Sequence, residues 1–300
     1  FTEPEILRTG LASVILQMLA LDLGEIGDYP FLTPPDSRGV SDGMGLLLEL
    51  GAVSKHGKTH RITKVGRELS RLPIEPRFAR MVIEARRHDV LPQVLAIVAG
   101  LTIQDVRERP QAERGKADEL HARFADPLGD LMSLLNLWNY LQEQQHALSS
   151  SAFRRLCKAE FLNFLRVREW MDLVRQLERI ARPGRSNARG QSTPKADAPQ
   201  SAQEQLPTAA GGSAEAIHRS VLAGLLSHLG VRDDRQDRRA SQGRRKPAHE
   251  YLGSRGTRFA LYPGSSLAKR PPEVVMSVEL VETSRLFARG NAAVDPAWAE

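Results

Sequence analysis

Cysteine is almost absent from this 300-residue chain; Cys157 stands alone. A single thiol excludes a disulfide scaffold and any Cys-based zinc site, and it suits a reducing compartment. No apolar run approaches the roughly 18 residues that a membrane span needs. The opening residues, FTEPEILRTG, lack the basic-then-apolar order of a signal peptide. They also lack an initiating Met, so the chain is expected to be a piece of a longer protein. No G-x-x-x-x-G-K-[ST] loop and no G-x-G-x-x-G after a strand are found, so the chain offers no phosphate cradle of its own. Secreted, transmembrane and collagen-like classes are thereby excluded.

What is present is charge, and it is unevenly spread. The formal net charge is +6, from 42 Lys and Arg against 36 Asp and Glu. Residues 1–70 hold 7 basic and 9 acidic side chains, while 232–258 alone hold 9 basic and 4 acidic. Clustered cations of that kind attract phosphates by counterion release. A solvated loop of like charges is the equally weighted alternative.

The N-terminal part reads as a winged helix, 1–72. Thr2 and Glu5 form a capping-box start with Pro4 between them. Ile6, Leu7, Leu11, Val14, Ile15, Met18 and Leu19 recur at helical spacing. A second helix is expected from Asp42 to Leu50, with Gly51 after it as a natural C′ residue. Two β-prone runs around Lys-His-Gly-Lys read as a hairpin, and Thr63 as the cap of a last short helix. The candidate recognition helix, DGMGLLLEL, has no Arg or Lys for a phosphate or a base edge. A packing or hinge module is therefore favoured over DNA binding.

Residues 73–181 read as all-helical. Phe78, Met81, Val82 and Ala85 share one face; Asp126-Pro127 is expected to start a longer helix with Leu131, Leu134, Leu135, Trp138 and Leu141 in register. The stretch 182–214 has no apolar periodicity and many Pro, Gly, Ser and Gln residues, the composition of a flexible linker. Beyond it, Ile217, Val221, Leu222, Leu225, Leu226 and Leu229 suggest an amphipathic helix ending at Gly230. After a basic loop at 232–256, the period changes to two in TRFALYPGS, EVVMSVELVETS and LFARGNAAV. One helix with several short strands over 215–300 fits an OB-fold. The fold class is thus multidomain, mainly α with a C-terminal β-barrel.

Catalytic chemistry is hard to find. ADELH at 117–121 sits on an expected helix and lacks the order of a helicase acidic box. His56 and His60 lie in the expected hairpin with no third ligand nearby. Glu169 and Asp172 are better explained by helical ion pairs. Cys157 lies near Arg155 and Lys158, yet without a His partner it reads as a buried structural thiol. No catalytic residue and no metal ligand is assigned. The segment FRRLCKAEFLNFLRVREW interleaves Arg154, Arg155, Lys158, Arg166 and Arg168 with Phe161, Phe164 and Trp170. On one continuous helix, positions 154, 158, 162 and 166 would share a side. Cations among aromatics can follow a phosphate backbone and stack bases; a core helix whose arginines pair with Glu160 and Glu169 is the equal alternative.

The succession TEPEILRTGLASVILQM, LPIEPRFARMV, RERP, FADPLGDLMSLLNLWNYL, FRRLCKAEFLNFLRVREW and TRFALYPGSSLAKRPPEVVMSVELVETSRLF resembles the C-terminal half of DEAH-box ATP-dependent RNA helicases, of the bacterial HrpA type. The likeness covers nearly everything except the linker. It implies a winged helix, a helical ratchet and an OB-fold following two RecA-like motor domains that bind ATP and Mg2+ and lie upstream of Phe1. This part alone would hydrolyse no ATP, and no cofactor is expected in it. The resemblance implies a channel for single-stranded RNA or ribonucleoprotein, in the cytoplasm and without a membrane, moved 3′ to 5′ by the motor in cis. A protein activator is a further implied partner, and a protein-binding scaffold is the competing reading. By position, Arg109-Pro110 matches the family's RP turn, and Gly129, Asp130 and Asn136 its GD…LLN helix, with structural roles expected. The RNA-binding candidates are Arg154, Arg155, Lys158, Arg166 and Arg168 in the ratchet and Arg258, Lys269, Arg270 and Arg285 in the OB-fold.

Overall fold

The computed structural model describes residues 10–57, 59–181, 213–233, 250–283 and 285–298. The Thr2–Glu5 capping box, nearly all of the 182–214 stretch and residues 234–249 of the basic loop lie outside them.

The chain begins with helices α1 (Leu11–Ala20) and α2 (Ser37–Glu49), the antiparallel hairpin β1 (Val53–His56) and β2 (Thr59–Ile62), and the short helix α3 (Lys64–Leu69). Helix α2 starts five residues before the sequence suggests. The Asp36 carboxylate accepts the Gly39 N–H at 2.7 Å, and this cap sets the start. Thr63 caps α3 as expected, accepting the Gly66 N–H at 3.0 Å. Two helices, a hairpin and a closing helix make the winged-helix arrangement.

The ratchet part follows as α4 (Pro76–Arg87), α5 (Leu91–Thr102), α6 (Arg114–Ala122), α7 (Asp130–Ala147), α8 (Ser150–Ala159) and α9 (Phe164–Ala181). Its centre is aromatic. Trp138 and Trp170 meet at 5.1 Å between ring centroids, and the Trp170 indole N–H donates to the Ala96 carbonyl at 2.8 Å. That bond satisfies the one polar atom of a side chain only 1% exposed. The long helix α7 starts at Asp130, three residues past the expected Asp126-Pro127. Gly129 sits at φ 138°, a conformation outside the helix, and delays the start.

Helix α10 (Ala214–Leu222) corrects two expectations. It stops well before Gly230, and Leu229–Arg232 form strand β3 instead of a last helical turn. Turns at Gly224 and Leu225 follow the helix, and the His228 ring, held between the Arg77 guanidinium at 2.8 Å and the Ser277 carbonyl at 3.1 Å, stands at the entry to the barrel. In addition, Ile217, Val221, Leu222 and Leu225 pack into the same hydrophobic core as the ratchet and winged-helix side chains. One apolar core thus runs from Ala12 to Val294, and the helical parts do not have separate interiors.

The barrel closes in the order β3-β4-β5-β7-β6, with β4 (Glu250–Gly253), β5 (Arg258–Leu261), β6 (Val274–Glu282) and β7 (Leu286–Ala293). All neighbours are antiparallel except β5 and β7, which run parallel. Strand β4 falls inside the stretch 232–256 that composition alone suggests is loop. Tyr251 and Phe259, opposite each other in register, stack at 5.7 Å inside the barrel and order this segment. The barrel has a small interior of its own: Tyr251, Phe259, Leu261, Leu267, Val275 and Ala288.

A glycine divides β7 between two interiors. Ala288 faces the barrel core, whereas Ala292, four residues on, faces the helical core. Strict alternation would put both on one side. Gly290, at φ 63°, reverses the pleat between them.

Two histidines, His121 and His218, are buried, and a third, His228, is half-buried where the C-terminal part meets the ratchet. Burial holds the imidazoles of His121, His218 and His228 below the ordinary 6.5. Their folded values lie below the unfolded one, so the unfolded chain takes up protons first as pH falls. The stability they allow is present above about pH 6.5 and is lost on acidification through and below it. The melting temperature should therefore drop between about pH 7.5 and pH 5.5, and replacing His218 with Phe should flatten that slope. Thermal melts monitored by circular dichroism across this range check it.

Candidate nucleic-acid interface

The two halves of the interface are held together by one carboxylate. Asp130, the first residue of α7, accepts hydrogen bonds from the Ser265 hydroxyl at 2.9 Å, the Ser266 N–H at 2.8 Å, the Ser266 hydroxyl at 3.1 Å and the Asn291 N–H at 2.9 Å. All four donors belong to the barrel. A negative charge at a helix N-terminus is favoured already by the helix dipole. Here it also anchors another fold, which goes beyond the capping expected of it. Gly129 makes room for the contact: a Cβ there would lie 2.5 Å from the Asn291 carbonyl oxygen and 2.7 Å from the Ala292 Cα. The Ala293 N–H then donates to the Leu128 carbonyl at 3.0 Å, extending the joint by a backbone bond.

A polar cluster backs this joint. Asp105 binds Arg107 through both carboxylate oxygens, at 3.0 Å and 2.8 Å. Burial alone raises the Asp105 carboxyl, but the Arg107 fork outweighs it and holds the group below its ordinary 3.8. Arg109, of the RP turn, pairs with Asp118 at 2.8 Å. Asn136 donates to the Phe124 carbonyl at 3.3 Å, a structural bond.

The ratchet cations are not presented on one continuous helix. Helix α8 ends at Ala159, Phe161 turns through φ 55°, and α9 starts at Phe164. The shared side expected for 154, 158, 162 and 166 does not form. The break has its own bonds: Glu108 N–H to the Phe161 carbonyl at 2.7 Å, and Asn163 N–H to the Val106 carbonyl at 2.7 Å. These tie the turn to a segment 53 to 57 residues earlier, a pairing that no local periodicity encodes.

The residues therefore separate. Arg154, Arg155 and Lys158 are exposed together on α8, with Arg154 lying over the Phe164 ring at 5.8 Å. Arg166 is drawn inward, its guanidinium donating to the Asp105 carbonyl at 3.0 Å. Arg168 stands on α9 beside Leu165, Glu169, Asp172 and Leu173 at a shallow, open groove. Glu160 and Glu169 do not pair with these arginines. Glu160 instead accepts from the Tyr140 hydroxyl at 2.8 Å and pairs with Arg123. Among the aromatics of the segment, Trp170 is wholly core, and Phe164 packs edge-on against buried Phe153.

In the barrel, Arg258 is bound to Asp233 at 2.8 Å and approaches Glu250 at 3.6 Å. Lys269 and Arg270 are exposed at the end of the short turn Ser266–Lys269 and have no acidic partner among the described residues. That turn is the one whose serines grip Asp130, so these cations are fixed relative to α7. Arg285 is exposed and lies 4.8 Å from the centroid of the Phe287 ring. Sequence reasoning missed Arg289, which lies 4.6 Å from the centroid of the Tyr262 ring. The cue was available in the period-two run LFARGNAAV, where Arg285, Phe287 and Arg289 alternate.

Elsewhere the described residues show no group of three His, Cys, Asp or Glu side chains placed to hold a metal, and no helix long and apolar enough to cross a membrane. His60 turns to Glu25 rather than to His56.

Comparison with known proteins matches residues 75–134 to the helicase associated domain (HA2), ratchet-like, and residues 217–300 to the oligonucleotide/oligosaccharide-binding (OB)-fold. The chain thus carries a ratchet-like helicase-associated domain and an OB-fold, and over its whole length it is similar to part of the ATP-dependent RNA helicases. In particular, it is 46% identical over its whole length to the ATP-dependent RNA helicase HrpA of Escherichia coli K12, of which it spans 21%. It is 43% identical to the HrpA homolog of Haemophilus influenzae, again over its whole length and 21% of that protein. Over 99% of its length it is 28% identical to the human probable ATP-dependent RNA helicase DHX37, spanning 27% of it. The chain therefore covers about a fifth to a quarter of the relatives' length.

Cys157 is wholly buried, and its thiol is pushed up to about 11 by burial, with Glu160 adding to the shift. Arg155 and Lys158 do not activate it. At about pH 8 the native chain should react with a thiol reagent at least a hundredfold more slowly than the urea-unfolded chain. Labelling followed by absorbance checks this.

The joint makes a second expectation. Replacing Asp130 with Ala leaves two barrel N–H groups and two hydroxyls without their charged acceptor. Charge-assisted bonds contribute about 1.5–3 kcal/mol each when broken singly, so the melting temperature should fall by roughly 5–10 °C. Gly129→Ala should fall at least as far, because no side chain fits against Ala292. Differential scanning calorimetry reads both.

Proposed function

We propose that this region guides single-stranded RNA, or RNA in a ribonucleoprotein, while RecA-like motor domains in the same protein hydrolyse ATP with Mg2+ and move the strand 3′ to 5′. The region makes and breaks no bond; it forms the wall of a channel and grips the backbone. The observation that carries this reading is the Asp130 joint, which fixes the cations of α8 and the cations beside the Ser266–Lys269 turn in one body. Arg155, Lys158, Lys269 and Arg270 are exposed and have no acidic partner among the described residues, as phosphate-binding side chains require. Arg154, Arg168 and Arg285 join them. Arg166 and Arg258 are the weaker members of the set, because Asp105 and Asp233 already hold them. The relatives are RNA helicases by name, which supports RNA as the strand.

A second reading has one observation in its favour. The winged-helix part exposes Leu21, Leu23, Tyr29 and Leu32, with Leu32 fully in solvent. Apolar side chains so close in sequence suit a protein partner such as an activator. In that reading the region is a scaffold with no grip on RNA.

Salt separates the two. Binding of a fluorescent oligouridylate by the full 300-residue chain should weaken steeply between about 50 and 200 mM salt, because each phosphate contact on a single strand adds about 0.7 to the slope of log K against log salt. Replacing Arg154, Arg155 and Lys158 with Ala should reduce that slope by about 2 and leave the melting temperature unchanged. Fluorescence anisotropy measures both. Absent or salt-independent binding would favour the scaffold.

A further inference from the structure

The strand β7 carries a column of alternating cations and rings on the outside of the barrel. Arg285, Phe287 and Arg289 are spaced two residues apart and share one face of the sheet, while Leu286 and Ala288 point to the barrel interior. Tyr262, just past β5, joins the same face because its N–H donates to the Ala288 carbonyl at 3.0 Å. The order in space is Arg285 over Phe287 at 4.8 Å, Phe287 edge-on to Tyr262 at 6.1 Å, and Arg289 over Tyr262 at 4.6 Å.

Neither ring packs into either of the two hydrophobic cores, although both are large apolar side chains. Half-buried aromatics that support no interior have faces to offer a ligand. Neither Arg285 nor Arg289 has an ion-pair partner among the described residues; Glu279 is the acid opposite Arg289 in register, but it makes no ion pair with it. The contrast within the same molecule is Arg123, which also lies over two rings, Phe124 and Tyr140, but is neutralised by Glu160. That cluster is closed on itself, whereas the β7 column retains its charge.

We infer that Phe287 and Tyr262, flanked by Arg285 and Arg289, form a stacking platform for two unpaired bases of a single-stranded nucleic acid, with the two guanidinia reaching the adjacent phosphates. Two residues along a strand advance about 6.7 Å, a step commensurate with one nucleotide of an extended strand. Stacking on rings is tolerant of sequence, since every base has a π-face, and arginines beside the rings add both charge and cation–π attraction. An acidic peptide would use the guanidinia but leave the rings without purpose. An uncharged oligosaccharide would use the rings but not the charges. This inference rests on the RNA-guiding reading and adds a base-dependent component to a grip that is otherwise made to phosphates alone.

The test uses the full 300-residue chain and two fluorescent probes of equal length and charge: an oligouridylate and the same ribose-phosphate chain without bases. The wild-type chain should bind the oligouridylate at least about tenfold more tightly, as one or two stacked bases require. Phe287→Ala and Tyr262→Ala should each weaken the oligouridylate about tenfold and leave the abasic probe unchanged, while Tyr262→Phe, which keeps the ring, should retain binding. Arg285→Gln with Arg289→Gln should weaken both probes and lower the salt slope by about 1.4. These glutamines leave the barrel interior and the helical core untouched, so they report even if an alanine variant misfolds. Equal affinity of the wild-type chain for both probes would overturn the stacking platform while leaving the phosphate grip intact. Failure of the wild-type chain to bind either probe would overturn both readings.

Discussion

A carboxylate at the start of a helix ordinarily serves that helix. Asp130 instead spends its acceptor capacity on four donors from another fold, two backbone N–H groups and two serine hydroxyls. Much else follows from that contact. Gly129 must lack a side chain for Asn291 and Ala292 to approach. Gly290 must reverse the pleat so that Ala288 can fill the barrel while Ala292 seals the helical core. The turn bearing Lys269 and Arg270 is held at α7 because its serines are the donors. Without the carboxylate, apolar contacts, the Ala293–Leu128 backbone bond and the His228 bridge would still join the barrel to the ratchet, but the joint would lose its charged acceptor.

The joint also fixes the cations of the ratchet and the barrel relative to each other. Phosphate contacts position a strand only if the cations are pre-placed, since a flexible set must be ordered at the moment of binding. Here the polar cluster of Asp105, Arg107 and Arg109 backs α7 from one side and the barrel holds it from the other. Arg166 illustrates the cost of that rigidity. It leaves the row of candidate RNA ligands and becomes a brace, donating to Asp105. Cations in this region are thus of two kinds, those bound within the fold and those left exposed.

Much of the fold was legible in residue order. The helical spacing of Ile15 and Met18, the Thr63 cap, the apolar α5 run and the period-two strands all describe local preferences that the tertiary structure keeps. Strand β4 was not legible, because its order comes from Tyr251 stacking on Phe259 across the barrel. The end of α10 was missed because Leu225, Leu226 and Leu229 continue an apolar helical spacing after the helix itself has ended in turns at Gly224 and Leu225. For the candidate interface, the cation-rich segment 154–168 could be found by eye, but its division into α8 and α9 could not. The break is held by Glu108 and Val106, far away in sequence. The β7 column needed strand register and the placement of Tyr262 before its four members could be seen as one feature.

Residue order alone determined the class of protein, through the length and sequence of motifs shared with RNA helicases, and the positions of most helices, whose periodicity is a short-range property. It also determined that a nucleotide cradle is lacking, since that chemistry needs a contiguous loop. Tertiary structure alone decided which charges are exposed and which are bound, because the partners of Arg166, Arg258 and Asp130 lie between 8 and 161 residues away. A side chain's charge is written in the sequence; whether that charge is available is a matter of which distant group reaches it first.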